Sequence, residues 1–181
     1  MRKPLVLISG LPASGKTTLA HQIGSALSLP VIDKDDILDR LFDSKGVGDA
    51  SWRRKLSRES DEILLREATA SKGAILASFW HLSGMPMDSG TPTDWVNPLL
   101  FQVVTVHCEC DVKIAAERFL QRKRHHGHLD QNSSYEQLVT NFEQLNRLEP
   151  IIIGERIIAN TSGMTNIEPV VQQIREHLHA A

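Results

Sequence analysis

The feature that most constrains the fold is the segment GLPASGKT at residues 10–17, which matches the pattern G-x-x-x-x-G-K-[ST]. An apolar run at residues 5–9 precedes it, and apolar residues with helical spacing follow it at Leu19, Ile23 and Leu27. This context predicts a strand, a loop and a helix in that order. Glycines at both ends of such a loop let successive backbone N–H groups point into one hole, to which the helix adds its positive end. The segment therefore predicts a phosphate-binding loop.

The side chains of this loop have predicted roles in holding ATP and its metal ion. Lys16 is expected to reach the β- and γ-phosphates and to act in catalysis, and the hydroxyl of Thr17 is expected to bind Mg²⁺. The predicted cofactors are therefore ATP and Mg²⁺. The residues predicted to bind the nucleotide here are Gly10, Leu11, Pro12, Ala13, Ser14, Gly15, Lys16, Thr17 and Thr18.

The rest of the chain alternates short apolar runs with amphipathic segments. The apolar runs are rich in Val, Ile and Leu and do not alternate with polar residues, which indicates a parallel sheet covered by helices on both faces. The predicted fold class is α/β, a three-layer α/β/α P-loop NTPase fold with a five-stranded parallel sheet. Further strands are predicted over residues 30–32, 74–79, 101–108 and 156–159. Helices are predicted over residues 16–28, 36–42, 52–68, 135–145 and 167–178, and after Asp111, with a capping box at residues 165–168 before the last one.

Composition sets the broad class of the protein. The 181 residues suit one domain, residues 1–181, and a net charge of -2 argues against a broad nucleic-acid footprint. No apolar run approaches the roughly 20 residues needed to span a bilayer. The first apolar run is interrupted by Gly10, which is too soon for a signal peptide. Cys108 and Cys110 are expected to be reduced thiols of a cytoplasmic protein.

An acidic turn follows the second predicted strand and contains Asp33, Asp35 and Asp36. Ligands of open α/β sheets bind at the carboxyl edge of the strands, where this turn lies. A carboxylate there can accept the proton of an attacking hydroxyl or hold Mg²⁺. The alternative is that Asp33 or Asp36 caps the next helix, and one turn can serve both purposes.

The phosphate-binding loop together with VIDKDD at residues 31–36 resembles the small P-loop kinases grouped with gluconate kinase, chloramphenicol phosphotransferase, the zeta toxins and polynucleotide 5′-kinase. The resemblance implies that Asp35 contacts the acceptor hydroxyl, and we expect Asp33 to support Mg²⁺. The segment ERFLQRKR at residues 117–124 is similar to the lid helix of these kinases. A helical lid is accordingly expected over approximately residues 118–135.

Two further sets of residues receive roles from the same resemblance. Arg118 and Arg122 are four residues apart and are expected to close over the transferring phosphate, with Arg118 also contacting the nucleotide and Arg122 the acceptor. Asn160, Thr161 and Ser162 follow the last predicted strand, where these kinases pass beside the adenine.

The resemblance implies an ATP-dependent phosphotransferase that moves the γ-phosphate of ATP to a hydroxyl of a small molecule, which could be a metabolite, a sugar acid or an antibiotic. A polynucleotide 5′-hydroxyl kinase, a zeta-toxin-like nucleotide-sugar kinase and a non-enzymatic regulatory ATP-binding module remain alternatives. The sequence lacks the NKxD pattern of regulatory GTPases. The expected partners are ATP and a small-molecule acceptor, and the chain is expected to bind neither a membrane nor a nucleic acid.

Several groups outside these motifs are candidates for the acceptor side. The segment at residues 81–98 fits no helix or strand and is either a substrate-binding loop or a surface excursion. Trp80 precedes this segment and His81 is its first residue. Each side chain is expected either to face the acceptor or to pack internally. The histidines His125, His126 and His128 are expected at a solvated lid tip that touches phosphate or substrate. The basic residues Arg53, Arg54, Lys55 and Arg58 are expected to form a solvated helix face.

Overall fold

One parallel sheet of five strands forms the centre of the computed structural model, which describes residues 2–130 and 133–179. The strands lie in the order β2-β3-β1-β4-β5, so the first strand of the chain is central. Their bounds are β1 (Lys3–Gly10), β2 (Val31–Asp33), β3 (Ala74–Ala77), β4 (Phe101–Glu109) and β5 (Glu155–Asn160). Every neighbouring pair is parallel, which confirms the predicted α/β class and the five-stranded parallel sheet.

Helices connect the strands and cover both faces of the sheet. Their bounds are α1 (Lys16–Leu27), α2 (Lys34–Lys45), α3 (Ala50–Ala70), α4 (Val112–Gln121), α5 (Tyr135–Asn146) and α6 (Glu168–His179). Alternate side chains of β1 point to opposite faces. Leu5 and Leu7 therefore pack in one apolar cluster with α2 and α3, whereas Val6 and Ile8 pack in another with α1 and α6. These three layers form the P-loop NTPase fold that the sequence predicts.

The register of the strands brings the functional segments to one edge of the sheet. Asp33, at the end of β2, lies beside Ala77 of β3, which in turn lies beside Ile8 of β1. Gly10, at the end of β1, lies beside Cys108 of β4. The phosphate-binding loop and the acidic turn therefore share the carboxyl edge of the sheet, as expected for a ligand site in this kind of fold.

Several predicted element boundaries and one predicted cap differ from the structure, and local contacts explain three of these differences. Strand β3 ends at Ala77, not at residue 79, because the backbone beyond it pairs with Thr91: the amide of Thr91 donates to the carbonyl of Phe79. Helix α2 begins at Lys34, two residues before the predicted start at residue 36, because the side chain of Asp33 caps it by accepting a hydrogen bond from the backbone amide of Asp35. The capping box predicted at residues 165–168 is wrong, since helix α6 begins at Glu168 and the side chain of Asn166 accepts its amide. Asp111 caps α4 as predicted.

The segment at residues 81–98 is folded back toward α2 and α3 and anchored at Thr91. This residue is buried, and its hydroxyl lies 2.6 Å from that of Ser78 and accepts a hydrogen bond of 3.1 Å from Lys34. The segment is therefore part of the wall around the acidic turn. Among the helices of the described residues, none is long and apolar enough to cross a membrane.

Candidate active site

The phosphate-binding loop joins β1 to α1 through three residues with positive φ angles, Gly10 at 138°, Ala13 at 59° and Gly15 at 94°. Only glycine fits at position 10, because a Cβ there would lie 2.8 Å from the carbonyl oxygen of Cys108. Gly15 is the N-cap of α1 and has no side chain to cap the first helical amides. Those amides are therefore available to an anion at the positive end of the helix.

Lys16 is held within the loop that it follows. Its Nζ donates hydrogen bonds to the carbonyl oxygens of Gly10 at 3.2 Å and Leu11 at 2.8 Å. Burial lowers the pKa of Lys16, and the nearby carboxylates of Asp35 and Asp33 partly oppose this effect. The position and charge of this ammonium suit it to neutralise phosphate oxygens.

Thr17 and Asp33 form a pair of oxygen ligands beside the loop. The Thr17 hydroxyl donates to Oδ2 of Asp33 at 2.6 Å, and Oδ1 of Asp33 accepts the amide of Asp35 at 2.9 Å. Burial raises the pKa of Asp33, so a cation near it would stabilise the charged form. Mg²⁺ in nucleotide sites typically uses one or two protein oxygens together with phosphates and water. The pair therefore fits the predicted Mg²⁺ ligands.

A cavity of about 720 Å³ opens over this part of the loop. Its lining includes Pro12, Ala13, Gly15, Lys16, Thr17 and Thr18, together with Asp33 and Asp35. Four arginines also line it: Arg53, Arg118, Arg122 and Arg124. We call this space the phosphate cavity. Of the predicted nucleotide-binding residues, Gly10 and Leu11 line a separate cavity behind the loop, and Ser14 is fully buried.

Arg118 lies within α4 and fixes the chain that follows β5. Its two terminal nitrogens donate to the carbonyl oxygens of Thr161 at 2.7 Å and Ser162 at 3.0 Å. Thr161 lines the phosphate cavity, whereas the side chains of Asn160 and Ser162 form hydrogen bonds within the surrounding loops. The predicted start of the lid at residue 118 is therefore too early, because Arg118 belongs to the body of the domain.

Arg122 lies just beyond the end of α4, so it does not continue the helix face of Arg118 as predicted. Its guanidinium lies 4.0 Å from the centre of the Phe119 ring and its Nη2 is 3.2 Å from Oδ2 of Asp130. Burial lowers the pKa of Arg122 to about 10, and the charge of Arg124 adds to this effect. Arg122 is still a cation at neutral pH and faces the phosphate cavity.

Arg124, for which the sequence motifs predict no role, forms an ion pair with Asp35 at 2.6 Å and a second one with Asp130. Partial desolvation by itself would raise the pKa of Asp35, but Arg124, His128 and Lys16 together hold it below the usual value. Asp35 is therefore a charged carboxylate at the boundary of the phosphate cavity. The run of basic residues at 122–124 was the available signal for Arg124, but it did not indicate which member would reach Asp35.

The segment at residues 122–130, here called the lid, lies against one face of α2. Asp35, Asp39 and Asp43 are four residues apart on that face. His128 donates from Nε2 to Asp39 at 2.6 Å, and Nε2 of His125 is 3.4 Å from Asp43. Together with the Arg124–Asp35 ion pair, these contacts connect the lid to α2 at three positions along the helix. The predicted solvated lid tip is wrong for His128, whose residue is only 3% exposed.

Close apolar packing joins the lid to α2 between these polar pairs. A Cβ at Gly127 would lie 2.6 Å from the Phe42 ring, so only glycine allows this approach. The ring of His125 stacks on Phe42 with 5.1 Å between their centroids. Within its described residues, the helical content of the lid is the single 3-10 turn His126–His128. Gln131 and Asn132, in the predicted lid range, lie outside the described residues.

Neither Trp80 nor His81 lines the phosphate cavity of the described chain. Trp80 is 2% exposed and its Nε1 donates to the carbonyl of Ile8 at 2.8 Å, so the indole supports the central strand. His81 donates from Nδ1 to the carbonyl of Ser89 at 2.7 Å, within its own loop. The predicted contact of Trp80 with the acceptor is therefore corrected to a packing role, and His81 is placed as a loop-stabilising residue.

The charge pattern between the lid and α2 leads to a prediction for lid docking. Replacing Asp39 and Asp43 by Asn should increase hydrogen exchange of the lid amides by about 2- to 10-fold, because each neutral substitution weakens a hydrogen bond or ion pair. The measurement is hydrogen–deuterium exchange with mass spectrometry. Glu62→Gln on the exposed face of α3 is the matched control and should leave the lid unchanged.

The same contacts predict a pH dependence. Burial and the charge of Arg124 lower the pKa of His128 in the docked lid, so the undocked lid binds a proton more tightly. Docking should therefore be complete above about pH 7 and weaken as the pH falls below the usual histidine range near 6.5. Exchange rates corrected for the intrinsic pH effect would contradict this assignment if they were the same at about pH 7.5 and 5.5.

Comparisons with known proteins agree with this architecture. Residues 5–145 match the family described as AAA domain. Shikimate kinase of Corynebacterium glutamicum is 29% identical over 76 residues, which are 41% of this chain. The matched region spans 45% of the length of that curated relative.

Two solved structures show the same fold. A protein of Chloroflexus aurantiacus J-10-fl, provisionally described as a kinase, superposes with a TM-score of 0.81 and 24% identity, covering 99% of this chain and 100% of that chain. A gluconokinase of Sinorhizobium meliloti 1021 superposes with a TM-score of 0.52 and 15% identity, covering 99% and 94% of the two chains.

Proposed function

The chain belongs to the AAA domain family, and from that premise we propose that it is an ATP-dependent kinase that phosphorylates a hydroxyl of a small molecule. The observation that carries the proposal is one cavity whose lining combines phosphate-binding groups with a charged carboxylate. Lys16, Thr17 and Asp33 are the groups suited to hold phosphates and a metal ion. Asp35, paired with Arg124, is the charged carboxylate, and an acceptor would enter beside it. The names of the relatives, shikimate kinase and gluconokinase, support the same reaction class.

On the nucleotide side, the residues bind and orient the phosphates. The free amides of α1 and the Lys16 ammonium would hold the β- and γ-phosphates, and Thr17 with Asp33 would hold Mg²⁺. The metal ion, when bound, supplies positive charge to the phosphate oxygens during transfer. Arg122 and Arg124 face the same space from the lid and would compensate charge that develops on the transferring group.

On the acceptor side, Asp35 would orient the attacking hydroxyl. The bond between the γ-phosphorus and the bridging oxygen breaks, the acceptor oxygen bonds to that phosphorus, and its proton passes to Asp35. ADP and the phosphorylated acceptor are the products. A carboxylate with a lowered pKa is a weak base. Because phosphoryl transfer is largely dissociative, positioning of the hydroxyl matters more than early removal of its proton.

The lid would control access to Asp35. Arg124 pairs with this carboxylate at 2.6 Å, so an acceptor hydroxyl competes with that ion pair. Lid movement on the side of α2 would allow the acceptor to enter, and renewed docking would exclude water from the transferring phosphate. Arg118 is bound to the carbonyls after β5 and would stay in place during this movement.

A screen of ATP consumption tests the proposed function. We expect acceptor-dependent release of ADP with at least one compound among sugars, sugar acids, nucleosides, aminoglycosides and 5′-hydroxyl oligonucleotides, and with a small molecule in preference to an oligonucleotide. A cavity of about 760 Å³ next to Asp35, lined in part by α2 and α3, has a volume that suits a small ligand. Turnover with oligonucleotides alone would instead indicate a polynucleotide kinase. ATP binding without turnover in any class would indicate a regulatory ATP-binding module.

A further inference from the structure

A second cavity of about 760 Å³ lies beside the phosphate cavity, between α2, α3 and the loop after β3. Four residues line both spaces: Asp35, Arg53, Ser78 and Phe79. The two cavities therefore meet at the carboxylate that we assign to the acceptor hydroxyl. A molecule whose hydroxyl reaches Asp35 would extend its remaining atoms into the second cavity, which we call the acceptor cavity.

The acceptor cavity has an excess of positive charge. Five cationic side chains line it, whereas Asp35 and Asp88 are its lining carboxylates. The five cations are Lys34, Arg53, Arg54, Lys55 and Arg58. The basic face of α3, expected to be merely solvated, is therefore one wall of this cavity. Whole-chain charge does not account for the excess, since the net charge of the chain is -2.

The cations of this wall differ in how their charge is already compensated. Lys34 and Arg58 share the carboxylate of Asp61, at 2.6 Å and 3.2 Å. Lys55 lies over the Trp52 ring at 5.3 Å. Each of these side chains therefore has a partner that restrains it.

Among the cations of this wall, Arg53 and Arg54 differ in having neither a carboxylate nor an aromatic ring as a partner within the described residues. Among residues 2–130 and 133–179, neither forms an ion pair. The Nε of Arg53 is buried and has no hydrogen-bond acceptor among those residues. A buried donor without a partner costs free energy that a ligand acceptor can recover. Arginine presents several donors in a plane that matches carboxylate and phosphate oxygens.

We propose that the acceptor cavity is a subsite for an anionic group of the acceptor, a carboxylate or a phosphate, bound by Arg53 and Arg54 while the acceptor hydroxyl contacts Asp35. This inference rests on the proposed kinase function, because it places the acceptor at Asp35. It defines the substrate class as hydroxylated small molecules that carry a negative charge. Neutral sugars and cationic aminoglycosides would leave the charges of Arg53 and Arg54 without an anionic partner.

The arrangement also explains how one side chain can couple the two cavities. Arg53 lines both, so an anion bound in the acceptor cavity would lie beside the carboxylate of Asp35. The charge of Arg53, which lines both cavities, would offset part of the electrostatic repulsion between that anion and Asp35. The side chain therefore acts in specificity and in positioning, and has no role in proton transfer.

Calorimetric titration tests the subsite with three compounds of one carbon skeleton: glucose, glucuronate and glucose 6-phosphate. The protein is saturated with Mg²⁺ and a non-hydrolysable ATP analogue, so that an added anion does not bind at the phosphate-binding loop. We expect glucuronate, glucose 6-phosphate or both to bind at least about tenfold more tightly than glucose. The ratio between these two compounds distinguishes a carboxylate from a phosphate subsite.

Two variants test whether the arginines on the basic face of α3 cause the preference for the charged compounds. The double variant R53Q/R54Q should lose the preference for the charged compounds, while R66Q, an exposed arginine of the same helix outside the cavity, should keep it. Thermal unfolding and binding of the ATP analogue show whether each variant is folded. The proposal is overturned if glucose binds as tightly as the anions, if none of the three compounds binds, or if R53Q/R54Q keeps the preference.

The same measurements separate this proposal from the kinase assignment. Preferential anion binding that depends on Arg53 and Arg54, together with ATP binding but no phosphoryl transfer, would contradict the kinase function and leave the subsite in place. Acceptor-dependent transfer to a neutral compound, unaffected by R53Q/R54Q, would support the kinase function and overturn the subsite.

Discussion

Lys16→Ala should lower acceptor-dependent ATP turnover by about 10²–10³-fold or more while leaving the protein folded. The ammonium is the cation that the phosphate-binding loop itself supplies, and its Nζ donates to the carbonyls of Gly10 and Leu11 in that loop. Its removal takes positive charge from the transferring phosphate without opening the core. The measurement is kcat with the acceptor found in the screen, together with calorimetric binding of Mg·ATP.

A matched control for this variant is Lys72→Ala, which removes an exposed lysine between α3 and β3. It should change turnover by less than about twofold, since exposed charges outside a site contribute little. Thr17→Ala should also stop turnover, and higher Mg²⁺ concentrations should partly restore it if the hydroxyl is a metal ligand. Full activity in Lys16→Ala would contradict the assignment of the phosphate site.

The phosphate side of the site could be predicted from the sequence because its parts are contiguous. The strand before Gly10, the loop and the helix after Gly15 occupy one stretch of chain, and the local pattern determines their geometry. The pair of Thr17 and Asp33 required one further step, which was that parallel strands bring their carboxyl ends to the same edge. That step needs only the assignment of each segment as a strand or a helix, and the spacing of apolar residues provides this assignment.

The acceptor side could not be predicted in the same way because it is assembled across long separations. Arg124 and Asp35 are 89 residues apart, and nothing in the run of basic residues distinguishes Arg122 from Arg124. Their different contacts depend on where α4 ends, and boundaries are the least certain part of a sequence-based prediction. The sequence predicts Arg53 as one of four solvated basic residues, and only the fold shows that it lines both cavities together with Ser78 and Phe79.

Residue chemistry alone was also insufficient for Trp80 and the lid histidines. A tryptophan after a strand suits an acceptor pocket or a core equally well, and the hydrogen bond from its indole to Ile8 belongs to the core. His128 was expected in solvent because its neighbours are charged. The structure buries it because Asp39 lies one helical turn from Asp35 and accepts its Nε2 proton.

Asp35→Asn should lower kcat by about 10²–10⁴-fold and leave the affinity for ATP nearly unchanged. The amide keeps the shape of the side chain but loses the negative charge that would orient and finally accept the acceptor proton. The pKa of Asp35 is held below its usual value, so the wild-type carboxylate stays charged at physiological pH. The acid limb of its kcat/KM profile, which reports the free enzyme with the Arg124 pair intact, should accordingly lie below the usual aspartate pKa of about 3.9.

Loss of the Asp35 charge also releases Arg124 and so weakens lid docking, and the variant must be compared with one that weakens docking alone. Asp39→Asn weakens the hydrogen bond to His128 but keeps both Asp35 and Arg124, and it should reduce kcat far less than Asp35→Asn does. Equal losses in the two variants would mean that Asp35 acts only by docking the lid. If Asp33→Asn stops turnover and Asp35→Asn does not, the metal and acceptor roles of the two carboxylates are exchanged. If neither substitution matters, the acidic turn only caps α2, and the group that orients the acceptor hydroxyl must lie in the loop at residues 81–98.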